Sequence, residues 1–88
     1  MKKEQAIMTF PCTFPIKVMG LQSDEFESAI VMIARKHISK LGEGAVQTKP
    51  SKNGKYLAIT ITFQAESREQ LDNLYREITA RDDVKMVL

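Results

Sequence analysis

Few side chains in this chain are able to do chemistry, and their spacing limits what that chemistry is. His37 is the single histidine and Cys12 the single cysteine of 88 residues, so a thiol nucleophile would have to take its base from this one pair. Such a nucleophile also needs a group to hold the base and an oxyanion donor beside it, and neither neighbourhood supplies them. Cys12 lies between Pro11 and Pro15 and reads as a packed or half-exposed thiol. His37 falls on the helical stripe of Phe26, Ala29, Ile30 and Ile33 and reads as a helix-end residue interacting with the dipole or as a partly buried packing residue. The paired carboxylates Asp24-Glu25 and Asp82-Asp83 are adjacent in sequence, and adjacent side chains diverge on a helix or a turn, so neither pair is set for acid-base work. One cysteine and one histidine leave no ligand set for a metal and no disulfide framework. The expectation is a non-enzymatic protein with no cofactor and no metal.

The lysines carry more information. Lys49, Lys52 and Lys55 cluster with Ser51 and Tyr56 in the stretch K-P-S-K-N-G-K-Y, and Lys17 and Lys85 add to them. These five residues of the stretch, Lys49, Ser51, Lys52, Lys55 and Tyr56, are a candidate partner-binding surface for phosphates, carboxylates or an acidic protein. The competing reading is structural, because lysines at sheet edges discourage pairing with other sheets. The formal net charge is only +2, with both signs interspersed, too balanced to announce a nucleic-acid or membrane protein by class. No stretch reaches the roughly 20 apolar residues that span a bilayer. Met1-Lys2-Lys3 is followed by Glu4 and Gln5, and Ala6-Ile7-Met8 is too short an apolar run for an export signal. A soluble, cytoplasmic protein is expected.

The elements that must position these groups follow from periodicity. Residues 1–13 have no clear period and read as an arm before one domain at 14–88, a length with room for one modest core. Phe14, Ile16 and Val18 alternate with Lys17 and Met19, so 14–19 reads as a one-sided strand that Gly20 ends. Ser23 is an N-cap for a helix over 23–40, with Asp24 and Glu25 at its positive end, Arg35, Lys36 and Lys40 at the other, and Gly42 or Gly44 as the stop. A short strand at 45–49 runs into Pro50, which places it at a sheet edge. Asn53-Gly54 favours a tight hairpin turn into a central strand at 55–64, where Leu57, Ile59, Ile61 and Phe63 alternate with Tyr56, Ala58, Thr60 and Thr62. Ser67 and Gln70 form a capping box for a helix over 67–80 with the stripe Leu71, Leu74, Tyr75 and Ile78. The last strand, 84–88, sets Val84, Met86 and Leu88 against Lys85 and Val87.

This order is the ferredoxin-like βαββαβ plan, an α+β two-layer sandwich with both helices on one face of an antiparallel four-stranded sheet. Right-handed crossovers give the spatial order fourth, first, third, second. The opposite face carries Lys17, Met19, Ala58, Thr60, Thr62 and Lys85, with Tyr56 as its one ring able to stack a base. Sheet readers of RNA use two or three such rings, so nucleic-acid binding is a remote alternative.

K-V-M-G at 17–20, K-P-S-K-N-G-K-Y at 49–56 and V-K-M-V-L at 84–88, with Phe10-Pro11 ahead of Phe14, resemble the YbeD-like family of small bacterial proteins over the chain from about residue 10 onward. The resemblance implies a ferredoxin-like fold similar to ACT-type regulatory domains, such as that of phosphoglycerate dehydrogenase, and a family without an established biochemical function or catalytic motif. It also implies a regulatory part in lipoate metabolism, since family members are often encoded near lipoate-attachment genes. ACT-type domains bind small molecules near the first strand-to-helix turn, commonly at a dimer interface; the matching residues here are Met19, Gly20, Leu21, Gln22 and Ser23. The expected function is therefore a regulatory or protein-interaction module that self-associates as a homodimer or docks a protein partner, with a small-molecule sensor as the alternative.

Overall fold

The computed structural model describes residues 9–42 and 44–88; the greater part of the expected arm lies outside them. Six elements follow one another: β1 (Cys12–Leu21), α1 (Asp24–His37), β2 (Val46–Pro50), β3 (Tyr56–Ala65), α2 (Arg68–Thr79) and β4 (Val84–Val87). All pairings are antiparallel and the sheet order is β2-β3-β1-β4, the ferredoxin-like order expected from the crossovers. Ile16 and Val18 of β1 and Leu57, Ile59, Ile61, Phe63 and Ala65 of β3 bury one face of the sheet against Phe26, Ile30, Ala34 and Ile38 and against Leu71, Leu74 and Ile78. Among the described residues no polar or charged one is buried in this core.

β1 is longer than its periodicity suggests. It pairs with β3 over ten residues, from Cys12 opposite Ala65 to Leu21 opposite Tyr56, so Cys12 and Thr13 belong to the sheet and Gly20 does not end the strand. Pro15 is tolerated within it for a geometric reason. Its partner Thr62 turns its N–H to Ala45 O on the β2 side, so the Pro15 nitrogen points toward β4, beyond the Lys17–Leu88 pair where that flank ends. No ladder bond is lost there.

Both helix starts are capped as the sequence indicates. Ser23 Oγ accepts from Phe26 N–H at 2.9 Å and Ser67 Oγ from Gln70 N–H at 3.0 Å. The reciprocal arm of the second box is displaced by one residue, with Gln70 Oε1 accepting from Glu66 N–H at 2.7 Å. The end of α1 differs from expectation. The helix stops at His37 without a glycine: Ile38 turns extended (φ −117°, ψ 115°), donates its N–H to Ala34 O and buries its side chain to 4% exposure. The orphaned His37 carbonyl accepts from Gln70 Nε2 at 2.9 Å, a capping bond supplied by the other helix. Gly44 does take positive φ (+78°), but in the turn that leads to β2, where Ala45 N–H meets Gly42 O.

β4 departs from strict alternation. Val18 pairs with Val87 and Met19 with Met86, but Gly20 pairs with Val84, so the register shifts and Lys85 is the extra residue. A bulge of this kind breaks the period of two. Val84 and Val87 both pack against the core, while Met86 (49% exposed) and Leu88 (65% exposed) face solvent.

Candidate docking surface on the open sheet face

The loop between β2 and β3 is held by its own polar groups. Ser51 N–H donates to Tyr56 O at 2.8 Å, Ser51 Oγ accepts from Tyr56 N–H at 3.0 Å, and the Ser51 hydroxyl donates to Asn53 Oδ1 at 3.1 Å. The same Asn53 oxygen accepts from Lys55 N–H at 3.2 Å, and Gly54, at φ +74°, donates to Ser51 O. The connection is thus a five-residue loop built around Ser51 and Asn53 rather than a two-residue tight turn, and the Ser51 hydroxyl is engaged inside it.

This loop sets Lys49, Pro50, Ser51 and Tyr56 beside Lys17, Met19 and Ala58 around a groove of about 300 Å³ on the sheet face away from the helices. Lys55 Nζ lies 5.5 Å from the centre of the Tyr56 ring, a cation–π contact. Of the candidate partner-binding residues, Lys49, Ser51 and Tyr56 come together, Lys55 caps the ring, and Lys52 is exposed on the loop outside the groove. Register adds apolar residues to the same face: Leu21 lies opposite Tyr56, Met86 beside Met19, and Leu88 beside Lys17. Met86 and Leu88 were concealed by the bulge, which no local pattern reveals. Among the described residues every side-chain carboxylate sits on a helix or in a connection between elements, so the strand residues of the open face carry lysine and no acid.

The strand-to-helix turn is arranged differently. The N–H groups of Leu21 and Gln22 are engaged by Asp83 O and Lys55 O, each at 3.0 Å, and the Ser23 hydroxyl by the α1 cap. Space above Gly20 is already filled: a Cβ there would lie 2.4 Å from Asp83 O and 2.6 Å from the Phe26 ring. Met19 belongs to the groove instead. The absence of a side chain at Gly20 thus lets the Phe26 ring and the Asp83 carbonyl pack against the strand.

The remaining polar groups hold the frame. His37 Nε2 contacts Glu77 Oε1 at 2.7 Å and Lys36 Nζ contacts Glu77 Oε2 at 3.2 Å, tying α1 to α2. The hydrogen bond to His37 first, then that to Lys36, holds the Glu77 carboxyl below its ordinary range. Arg81 clasps Asp83 through two bonds of 3.0 and 2.9 Å, which lower the Asp83 carboxyl and raise the guanidinium. No hydrogen bond joins Cys12 to His37 among the described residues, and no group of three potential metal ligands occurs among them. No helix there is long and apolar enough to cross a membrane.

The arrangement has known relatives. The chain is 43% identical over 84 residues to a UPF0250 protein of Paraburkholderia phytofirmans, covering 96% of this chain and 94% of that one. It is 41% identical over 87 residues to a UPF0250 protein of Neisseria meningitidis serogroup A, covering 99% and 96%. Two solution structures share the fold at low identity: protein HP0495 from Helicobacter pylori (TM-score 0.69, 15% identity, 94% of this chain and 87% of that one) and the C-terminal domain of the MgtC protein from Mycobacterium tuberculosis (TM-score 0.71, 13% identity, 94% and 89%). A family model described as "Protein of unknown function (DUF493)" matches residues 5–88; the chain belongs to this DUF493, or UPF0250, family, the YbeD-like group that its three sequence blocks resemble.

Proposed function

We propose that this chain is a non-enzymatic, regulatory protein-interaction module that docks a protein partner on the open face of its sheet. One observation carries the reading: the face joins Met19, Leu21, Tyr56, Ala58 and Met86 to Lys17 and Lys49 with no acidic side chain among them. Apolar area flanked by charge of one sign suits recognition of another macromolecule. The groups with catalytic potential are instead engaged in holding the frame, His37 by Glu77 and Asp83 by Arg81. The test is affinity capture with the native protein beside a K17E/K49E variant and a K49E/K52E/K55E variant, with folding verified by thermal midpoint. A partner held by the native protein and released by K17E/K49E supports the reading; a partner set unchanged by both variants refutes it.

The groove favours a second reading, a small-ligand sensor. Its volume of about 300 Å³ lies at the lower end of the roughly 300–1,000 Å³ typical of ligand pockets. Thermal shift against amino acids, lipoate and octanoate separates the two, and the latter pair also tests the link to lipoate metabolism. Ligand at 100 times its dissociation constant adds about 2.7 kcal/mol, so saturable stabilisation supports a sensor and a flat panel leaves the docking module.

A further inference from the structure

Resting on the docking reading above, we infer that the partner presents an acidic segment whose apolar side chain enters the groove over Ala58 while its flanking carboxylates meet Lys17 and Lys49. The register defines the receptor. Met19 and Lys49 both pair with Ala58 from opposite sides, and Lys17 pairs with the next outward residue, Thr60. The two lysine-bearing strands are therefore separated by β3 alone, roughly 9–10 Å at two strand spacings. Ala58 is the smallest side chain between them, so the row Met19–Ala58–Lys49 is a trough, and Tyr56, two residues along β3, lines the same groove.

Three features select this occupant. Lysine is a point charge without the fork geometry of arginine, suited to carboxylates that approach from several angles. A second copy docked face to face about a two-fold axis would set the same lysine-bearing face, without acidic side chains, against itself, so a symmetric sheet-to-sheet dimer is opposed by like charge on its side chains. Single-stranded RNA needs successive stacking rings, whereas the groove has Tyr56 alone, already engaged by Lys55. What remains complementary is an apolar anchor between acids, on a protein.

The test uses three labelled peptides in a Gly/Ser frame: one with Glu-Glu-Leu-Glu-Glu, one with the leucine replaced by serine, and one with each glutamate replaced by lysine, with an oligouridylate as a fourth probe. Amide chemical-shift mapping on the full chain reads the site and the affinity. The expected result is saturable shifts by the first peptide centred on Lys17, Met19, Lys49, Tyr56 and Ala58, weakened about threefold or more on raising salt from roughly 50 to 300 mM. Single charge neutralisations K17Q and K49Q should each weaken it by up to about fivefold, the serine peptide should bind more weakly, and the lysine peptide should not bind. No localised shifts, equal shifts by the lysine peptide, or tighter binding of oligouridylate at the same residues would each overturn the inference. If the acidic peptide fails while K17E/K49E still releases a captured partner, the acidic anchor is wrong and the docking face stands; if both fail, both fall.

Discussion

Replacing Gly20 with alanine asks whether that position exists for packing or for ligand access. The new Cβ would lie 2.4 Å from Asp83 O and 2.6 Å from Cε1 and Cζ of Phe26, and real Cβ atoms essentially never come within 3.0 Å. The carbonyl must retreat by about 0.6 Å (3.0 − 2.4) to clear it. Because that oxygen accepts from Leu21 N–H at 3.0 Å, a retreat of this size stretches the bond toward about 3.6 Å, beyond hydrogen-bonding range. Nor is the carbonyl free to swing, since the Arg81–Asp83 clasp braces its turn and the Phe26 ring is fully buried. Overpacking costs about 1–3 kcal/mol and a lost hydrogen bond about 0.5–1.5 kcal/mol, giving a total of about 1.5–4.5 kcal/mol. A chain of this length has a stability of roughly 4–13 kcal/mol at about 0.05–0.15 kcal/mol per residue. At about 4–8 °C per kcal/mol for a domain of this size, Gly20→Ala should lower the thermal midpoint by roughly 6–36 °C, with a matching fall in the urea midpoint followed by far-UV circular dichroism. Gly42→Ala is the control, because nothing lies within 4 Å of its Cβ position. A Phe26→Leu background should show non-additivity of at least about 0.5 kcal/mol with Gly20→Ala. A Gly20→Ala protein within about 0.5 kcal/mol of wild type, the range of ordinary surface changes, would refute the packing account and return the position to ligand access.

Gln70→Glu keeps an acceptor for Glu66 N–H but removes the donor to the His37 carbonyl, so it should cost about 1–2 kcal/mol by urea denaturation. Gln70→Ala should cost at least as much, and equality of Gln70→Glu with wild type would show the interhelix cap to be inert. Glu77 and Asp83 are both lowered in the folded chain, so the stability they contribute is complete above the unfolded carboxylate range, about pH 4 to 4.5, and is lost as pH falls through their lowered values. The urea midpoint should hold from neutral pH to about pH 5 and decline below about pH 4, with the decline reduced in Glu77→Gln and Asp83→Asn; identical acid slopes in both variants would exclude these pairs as the cause. Ile59→Ala, at a fully buried position of β3, should remove about 2–5 kcal/mol, read as a fall in the urea midpoint. A loss below about 1 kcal/mol would mean that β3 is not at the centre of the core.

The parts of the fold legible in the sequence are those determined locally. Leu57, Ile59, Ile61 and Phe63 repeat every second residue, and Leu71, Leu74 and Ile78 repeat with helical spacing. Ser23 and Ser67 announce caps three residues ahead of the N–H they bind. What escaped the reading depends on residues far apart in sequence. α1 stops at His37 because Ile38 is drawn into the core and Gln70, 33 residues on, caps the helix end; glycine had no part in it. Lys85 is bulged because β4 must match the register of β1, and that mismatch moved Val87 to the core and Met86 to the open face. The lysine cluster at 49–56 was visible as composition, but its organisation was not. Lys52 stands apart from the groove, and Lys17 enters it from the neighbouring strand on the far side of β3.

The two outer strands bear on how the protein behaves when concentrated. β2 offers five residues, with Lys49 and Pro50 among them, and β4 offers four with its register broken at Lys85. Neither is a long, flat template onto which another chain could add strand after strand. Fibrillar growth through the sheet margins is thereby discouraged even though the described residues leave the broad face uncovered. Crowding such a molecule therefore does not recruit further strands onto either margin of its sheet.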